Sequence, residues 1–186
     1  FRNGRQKGAE SFMSSPNLAT KIDYYGISGL KLGFSSYLGK SQSTLYNRID
    51  KNNLAAVSMA DSSVVGISML GFDARYRNKG FEARGQFNLV NIKNTTEYNT
   101  LTGKDMGSQM LGWYIEAGYN LLEKAATGQR LTPFIRYENY NTHAKTENSL
   151  AMNKSYNRND LTFGIGWWLA SGAVLKADYQ VFNNEA

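Results

Sequence analysis

The stretch LGFDARYRNKGFEARGQFNL, residues 70–89, decides how this chain folds. One phase of it reads Leu70, Phe72, Ala74, Tyr76, then Phe81, Ala83, Gly85, Phe87, Leu89; the other carries Asp73, Arg75, Glu82 and Arg84. Alternation over seven to nine residues is a strand period and not a helical one. The intervening Arg77-Asn78-Lys79-Gly80 has the composition of a tight turn, so the two runs form a hairpin.

The same pattern recurs on both sides. Strands are predicted over Leu18–Gly26, Leu30–Leu38, Leu70–Tyr76, Phe81–Leu89, Leu111–Leu121, Leu131–Tyr137, Leu161–Leu169 and Leu175–Val181. Their lengths approach the roughly 9 to 11 residues that a tilted strand needs to cross a bilayer. Short connections at Ile27-Ser28-Gly29, Arg77–Gly80, Glu123–Arg130 and Ala170-Ser171-Gly172 alternate with long polar ones at Gly39–Met69, Val90–Met110 and Asn139–Asp160. A soluble sandwich has no reason to sort its loops by length onto opposite ends, whereas an outer-membrane barrel does. The expected organisation is one domain over 1–186: a loop segment at 1–16, then four hairpins over 17–182.

Side-chain alternation gives each strand two faces. In the apolar phase 38 strand positions carry no charge, where the chain's 19% charged content would place about seven. The opposite phase carries Lys21, Asp23, Lys31, Asp73, Arg75, Glu82, Arg84, Glu116, Arg136, Glu138, Lys176 and Asp178. Turning that phase outward in a membrane would put Arg84 and Lys176 into lipid at about 2–4 kcal/mol each. These twelve residues are therefore the expected lumen lining of a transmembrane antiparallel β-barrel.

A soluble β-sandwich or lipocalin also has two-faced strands, with the oily face as its core. Two features favour the membrane. Large aromatics of the apolar phase sit near strand ends: Tyr24, Tyr76, Phe81, Tyr119 and Trp167 toward the short turns, Trp113, Tyr137 and Tyr179 toward the long loops. Two such girdles are what amphipathic rings form at membrane interfaces. The polar phase, moreover, is rich in Gly, Tyr and Trp rather than in the Lys and Glu of a soluble exterior.

Composition agrees. The 186 residues include no Cys, 2 Pro, 18 Gly, 12 Tyr, 9 Phe and 3 Trp, which excludes disulfide scaffolds, thiolate metal sites and ordinary disorder. No apolar run is long enough for a spanning helix; the best, Phe163–Leu175, is broken by three Gly and a Ser. The net charge of +6 is dispersed, so no nucleic-acid partner is expected.

Chemistry is sparse. The only His, His143, falls in the polar stretch 139–160 and reads as a solvated loop residue, so no catalytic triad is expected. No metal site or cofactor is expected either. Gly164-Ile165-Gly166 lacks a following helix and reads as room for Trp168, or a neighbouring side chain, to pack against the wall. Leu54–Ala60 is a small apolar patch inside a polar loop, expected to fold back into the mouth or to bury against a partner.

Three phrases carry a resemblance: GWYIEAGY at 112–119, LTPFIRYE at 131–138 and LKADYQ at 175–180. They resemble the C-terminal part of Gram-negative porins, nearest to the phosphate-selective porin O and P group and its Bacteroidetes-type relatives. The likeness, in style of strand and turn, covers Gly66–Val181. It implies a barrel of about sixteen strands, of which this chain would be roughly half. An opening within a loop and an end at Ala186 rather than an aromatic residue agree with strands missing at each end. Eight strands can also close alone around filled side chains. Phosphate selectivity is not carried over, because six carboxylates offset the six cations of the inner phase. The expected function is a passive channel for small hydrophilic solutes or ions, with outer-membrane lipid around it and a homo-oligomer or membrane-protein partner open. The alternative is a plugged barrel that anchors surface loops or a complex.

Overall fold

Eight antiparallel strands follow one another as a meander: β1 (Leu18–Ile27), β2 (Leu30–Lys40), β3 (Gly66–Asn78), β4 (Phe81–Lys93), β5 (Gln109–Tyr119), β6 (Arg130–Lys145), β7 (Asn157–Ala170) and β8 (Ala173–Asn184). They belong to a computed structural model that describes residues 15–41, 43–47, 49–148 and 150–185. Of the loop expected over Phe1–Pro16, only Ser15 and Pro16 are described. Two short helices, α1 (Leu54–Ser62) and α2 (Thr95–Thr102), occupy the long polar connections after β2 and β4, where the sequence pattern predicts no helix.

Tight turns close one end. Lys79 and Gly80 both take positive φ, 45° and 77°, the backbone whose twist matches that of the flanking strands. The longer connection after β5 is folded back by Asn120, whose Oδ1 accepts from the backbone N–H groups of Leu122 and Leu131 at 3.2 and 3.1 Å.

Register joins the eight apolar phases into one continuous face. Phe34 stands opposite Phe72, Phe72 opposite Phe87, and Phe87 opposite Trp113. Ile115 then faces Tyr137, Tyr137 faces Leu161, and Leu161 faces Val181. The rows are oblique. The row through Tyr24, Leu32 and Ala74 begins three residues short of the turn in β1, and it ends at Val181, eight residues beyond the start of β8. That stagger is the shear a barrel wall requires.

The apolar face is the exposed one. Ile22 is 70% exposed, Ile115 61% and Tyr179 71%, while the neighbouring Glu116 side chain is 13% exposed. Among the described residues the buried apolar side chains are Ala60, Val65 and Ile92, all near the loop end. No oily core lies between two layers, so the sandwich alternative is overturned. The charged face is the concave one. A pocket of about 250 Å³ touches Arg75 on β3 and Lys176 on β8, strands that a flat sheet would hold about 24 Å apart.

The strands run further than their apolar alternation. Beyond Leu70, Leu89 and Leu161 the outward phase continues as Ser68, Asn91 and Asn159, then Gly66, Lys93 and Asn157. On β3 and β4 the inward phase turns apolar over the same stretch, with Ile67, Met69, Val90 and Ile92, whereas on β7 it stays charged with Arg158 and Asp160. This inversion ends the apolar band of the outward face on those two strands. β4 keeps an apolar outward phase over nine residues from Phe81 to Leu89. Eight steps of about 3.3 Å, tilted by about 40°, give an apolar band roughly 20 Å tall, close to that of transmembrane barrels.

Among the described residues β1 pairs only with β2 and β8 only with β7, so the sheet is open and does not close on itself. Ile115→Arg is expected to cost about 2–4 kcal/mol in vesicle-inserted protein. Gln86→Arg, on the concave face, is expected to cost under about 1 kcal/mol. Urea titration followed by tryptophan fluorescence compares the two.

Candidate functional site: the charged face of the sheet

The register places the twelve predicted charged residues on one face and sorts them into rows. One row runs Lys31, Arg75, Arg84, Glu116, Arg136, Thr162, Gln180 across β2 to β8. The next row toward the loops runs Asp23, Gly33, Asp73, Gln86, Tyr114, Glu138, Asp160, Phe182. Four cations and one carboxylate thus lie beside four carboxylates and no cation. Like charges on adjacent strands repel, so this order needs compensation from neighbouring rows.

Ion pairs supply it. Glu116 takes a two-pronged contact from Arg84, whose Nε and Nη2 donate at 2.8 and 2.9 Å, and a third bond from Arg136 Nε at 3.0 Å. Arg136 also reaches Glu138 at 3.5 Å, and its guanidinium lies 4.8 Å from the Tyr114 ring centre. Lys31 and Lys21 approach Asp23 at 3.4 and 3.5 Å, and Lys21 approaches Asp73 at 3.6 Å. Glu82 is held by Arg77 and Arg130 at 2.9 and 2.8 Å. Each of these pairs is partly exposed, which limits its worth to about 1 kcal/mol or less. Arg75, Lys176 and Asp178 make no ion pair among the described residues. Arg75 and Lys176 line the 250 Å³ pocket with Arg84, Arg130 and Trp168.

Two glycines shape this surface. A Cβ on Gly166 would lie 2.7 Å from the Trp168 ring, and one on Gly164 would meet the Phe134 ring. Absence of side chains there lets both rings lie against the wall, and Arg130 stacks on Trp168 with its guanidinium 3.6 Å from the ring centre. The expected packing role of the glycine pair is seen here.

Four charged residues of this face were missed: Arg77, Arg130 and Arg158 among cations and Asp160 among carboxylates. Asp160 is 1% exposed and accepts from Gln180 Nε2 and the Asn183 N–H, both at 3.4 Å. All four fall in the charged phase just beyond the predicted strand limits, so extending each alternation by one to three residues finds them.

The eight predicted girdle aromatics all belong to the outward phase. Three of them bond polar groups at the ends of the apolar band. Tyr76 Oη accepts from Asn78 at 3.0 Å and Trp167 Nε1 donates to Gln129 at 3.1 Å on the turn side. Tyr137 Oη donates to Asn159 at 3.1 Å on the loop side, and the Trp113 and Tyr137 rings sit 5.5 Å apart. Tyr24, Phe81, Tyr119 and Tyr179 lie on the same face, paired opposite Leu32, Tyr119, Phe81 and Phe163.

His143 departs from its reading as a solvated loop residue. It lies within β6 and is 4% exposed. Its Nε2 bonds the Asp105 carbonyl, its Nδ1 accepts from the Asn153 N–H at 3.3 Å, and its ring meets Tyr156 edge-on at 4.6 Å. Tyr156 donates to the Asp105 carboxylate at 2.9 Å, which raises the phenol's pKa. These contacts tie the connection after α2 to the one after β6. Glu147 ties them again, accepting from the Thr95 N–H and hydroxyl at 3.1 and 2.6 Å. The apolar patch Leu54–Ala60 forms most of α1; it buries Ala60 and leaves Leu54 79% exposed.

No family profile matches the sequence. A protein of Aquifex aeolicus (strain VF5), described as uncharacterized, is 26% identical over 175 residues, 94% of this chain and 39% of that one. Among solved structures the chain is similar to a BenF-like porin from Pseudomonas fluorescens Pf-5, with a TM-score of 0.52 at 7% identity over 92% of this chain and 44% of that one. OccK8 (OprE) of Pseudomonas aeruginosa gives a TM-score of 0.48 at 10% identity, covering 91% and 47%. The chain therefore spans less than half the length of each. What it shares with the BenF-like porin is the fold, the wall of a β-barrel.

Gly166→Val is expected to push Trp168 off the wall, costing about 1–3 kcal/mol of stability and shifting its fluorescence toward the red. Gly66→Ala, whose Cβ would meet only Lys93 Cβ at 3.5 Å, serves as the neutral control in the same denaturation series.

Proposed function

We propose that this chain forms part of the wall of an outer-membrane channel through which small hydrophilic solutes or ions diffuse. One observation carries the reading: ionised groups occupy the concave face while charge-free side chains, flanked by aromatic residues, cover the convex one. Hydrocarbon favours the second surface and solvated ions the first. The barrel fold shared with the BenF-like porin supports it.

The open edges indicate that further strands complete the barrel. In lipid each unsatisfied backbone group costs several kcal/mol, and β1 and β8 each present a row of them. A wall of eight more strands, from the same polypeptide or from a second copy, removes both edges at once.

Selectivity follows from the rows. The phosphate-selective porin group resembled by residues 112–119, 131–138 and 175–180 would call for an uninterrupted ladder of cations. Glu116 interrupts the basic row, and the acidic row runs beside it. We therefore assign the channel to small hydrophilic solutes and ions without a phosphate preference.

Planar-bilayer recording tests the proposal. Ohmic conductance steps are expected, with Glu116→Gln moving the reversal potential toward anion selectivity and Arg84→Gln moving it toward cations. Absence of steps in protein shown to be inserted would favour the plugged, loop-anchoring barrel.

A further inference from the structure

A second basic site lies on the opposite side of the wall, beyond the oily band. Lys40, at the end of β2, pairs with Gly66, and Gly66 pairs with Lys93. All three are in the outward phase. The connection that follows β2 leans over them, so that Tyr46, Lys51 and Asp61 share with Lys40, Gly66 and Lys93 a cavity of about 750 Å³. Gly66 forms an open floor, where an added Cβ would meet nothing nearer than 3.5 Å. Among the described residues, the lysines at 51 and 93 share this cavity with one carboxylate, Asp61. Asp61 is itself engaged, accepting from Tyr46 Oη at 2.6 Å; that bond, helped by burial, pushes the phenol up to about 12 and keeps it protonated. Neither Lys51 nor Lys93 makes an ion pair among the described residues.

Height selects the ligand. Lys93 lies four residues beyond Leu89, the last apolar outward residue of β4. Four steps of about 3.3 Å at a tilt of about 40° place it roughly 10 Å above the edge of the hydrocarbon. The headgroup layer is about 5–7 Å thick, and a lysine side chain directed back toward it brings its ammonium to headgroup level. A compact, strongly hydrated ammonium suits the point charge of a phosphate. A solute crossing the channel does not meet this cavity, because it opens on the convex face.

We propose that Lys51 and Lys93, beside Lys40, hold the phosphate of an anionic lipid headgroup against the loop-side rim of the barrel. The inference rests on the convex face meeting lipid, as argued above. Bound there, the headgroup neutralises the rim and ties the connection bearing α1 to the membrane.

Titration of phosphatidic acid into the detergent-solubilised protein, read by native mass spectrometry, tests this. One phosphatidic acid per chain is expected to remain bound where phosphatidylcholine does not. Lys51→Gln with Lys93→Gln should weaken retention about twenty-five-fold, from about five-fold per lysine, while Lys154→Gln changes nothing. Equal retention by the double variant overturns the proposal. So does displacement of the lipid by equimolar inorganic phosphate, which would make the site one for free anions. In parallel, vesicles of dibromo-phosphatidylcholine should quench the outward Trp113 and Trp167. Quenching with unchanged lipid retention sinks only the headgroup site; absence of quenching sinks the membrane reading together with it.

Discussion

Which side of the sheet meets oil is the constraint on which everything else in this protein depends. A β-sheet satisfies its backbone between strands, leaving side-chain alternation to decide the solvent on each face. Here the uncharged phase is convex and exposed, and the ionised phase is concave. Ile115 and Glu116 are adjacent in the chain and stand on opposite sides of that boundary. Once the sidedness is set, the remaining features acquire a place. The aromatic residues rim the apolar band, the glycines make room for Trp168 and Phe134, and the arginines and carboxylates neutralise one another on the concave face.

The two faces were legible because a period of two is local: residues 70–89 alone show it. Hairpins were legible for the same reason, through Gly29, Gly80 and Gly172 at the turns. The rows of charge were not, because they depend on which residues of different strands stand opposite. Lys31, Arg75 and Arg84 form one row only through a register set by turn geometry and by stagger accumulated across the sheet. No inspection of a single strand reveals that cations and carboxylates occupy neighbouring oblique rows.

Strand ends were misjudged for a different reason. Beyond the oily band the polarity of the faces inverts, so Asn91, Ile92 and Lys93 read as loop although β4 continues through them. The same effect hid His143 within β6, where it packs under two connections instead of lying in solvent. α1 and α2 were missed because they are short and carry little helical patterning. The strand ends and His143 share one origin: the apolar band of the outward face stops before the strands do.

Single-cysteine scanning along β5 tests the central claim most directly, since the chain contains no cysteine of its own. Spin labels placed one at a time at positions 112–119 in reconstituted vesicles report access to oxygen, which favours lipid, and to a water-soluble nickel chelate. The account predicts strict alternation, with oxygen access highest at 113, 115 and 117 and nickel access highest at 114, 116 and 118. The opposite phase, or access that does not alternate, would contradict it.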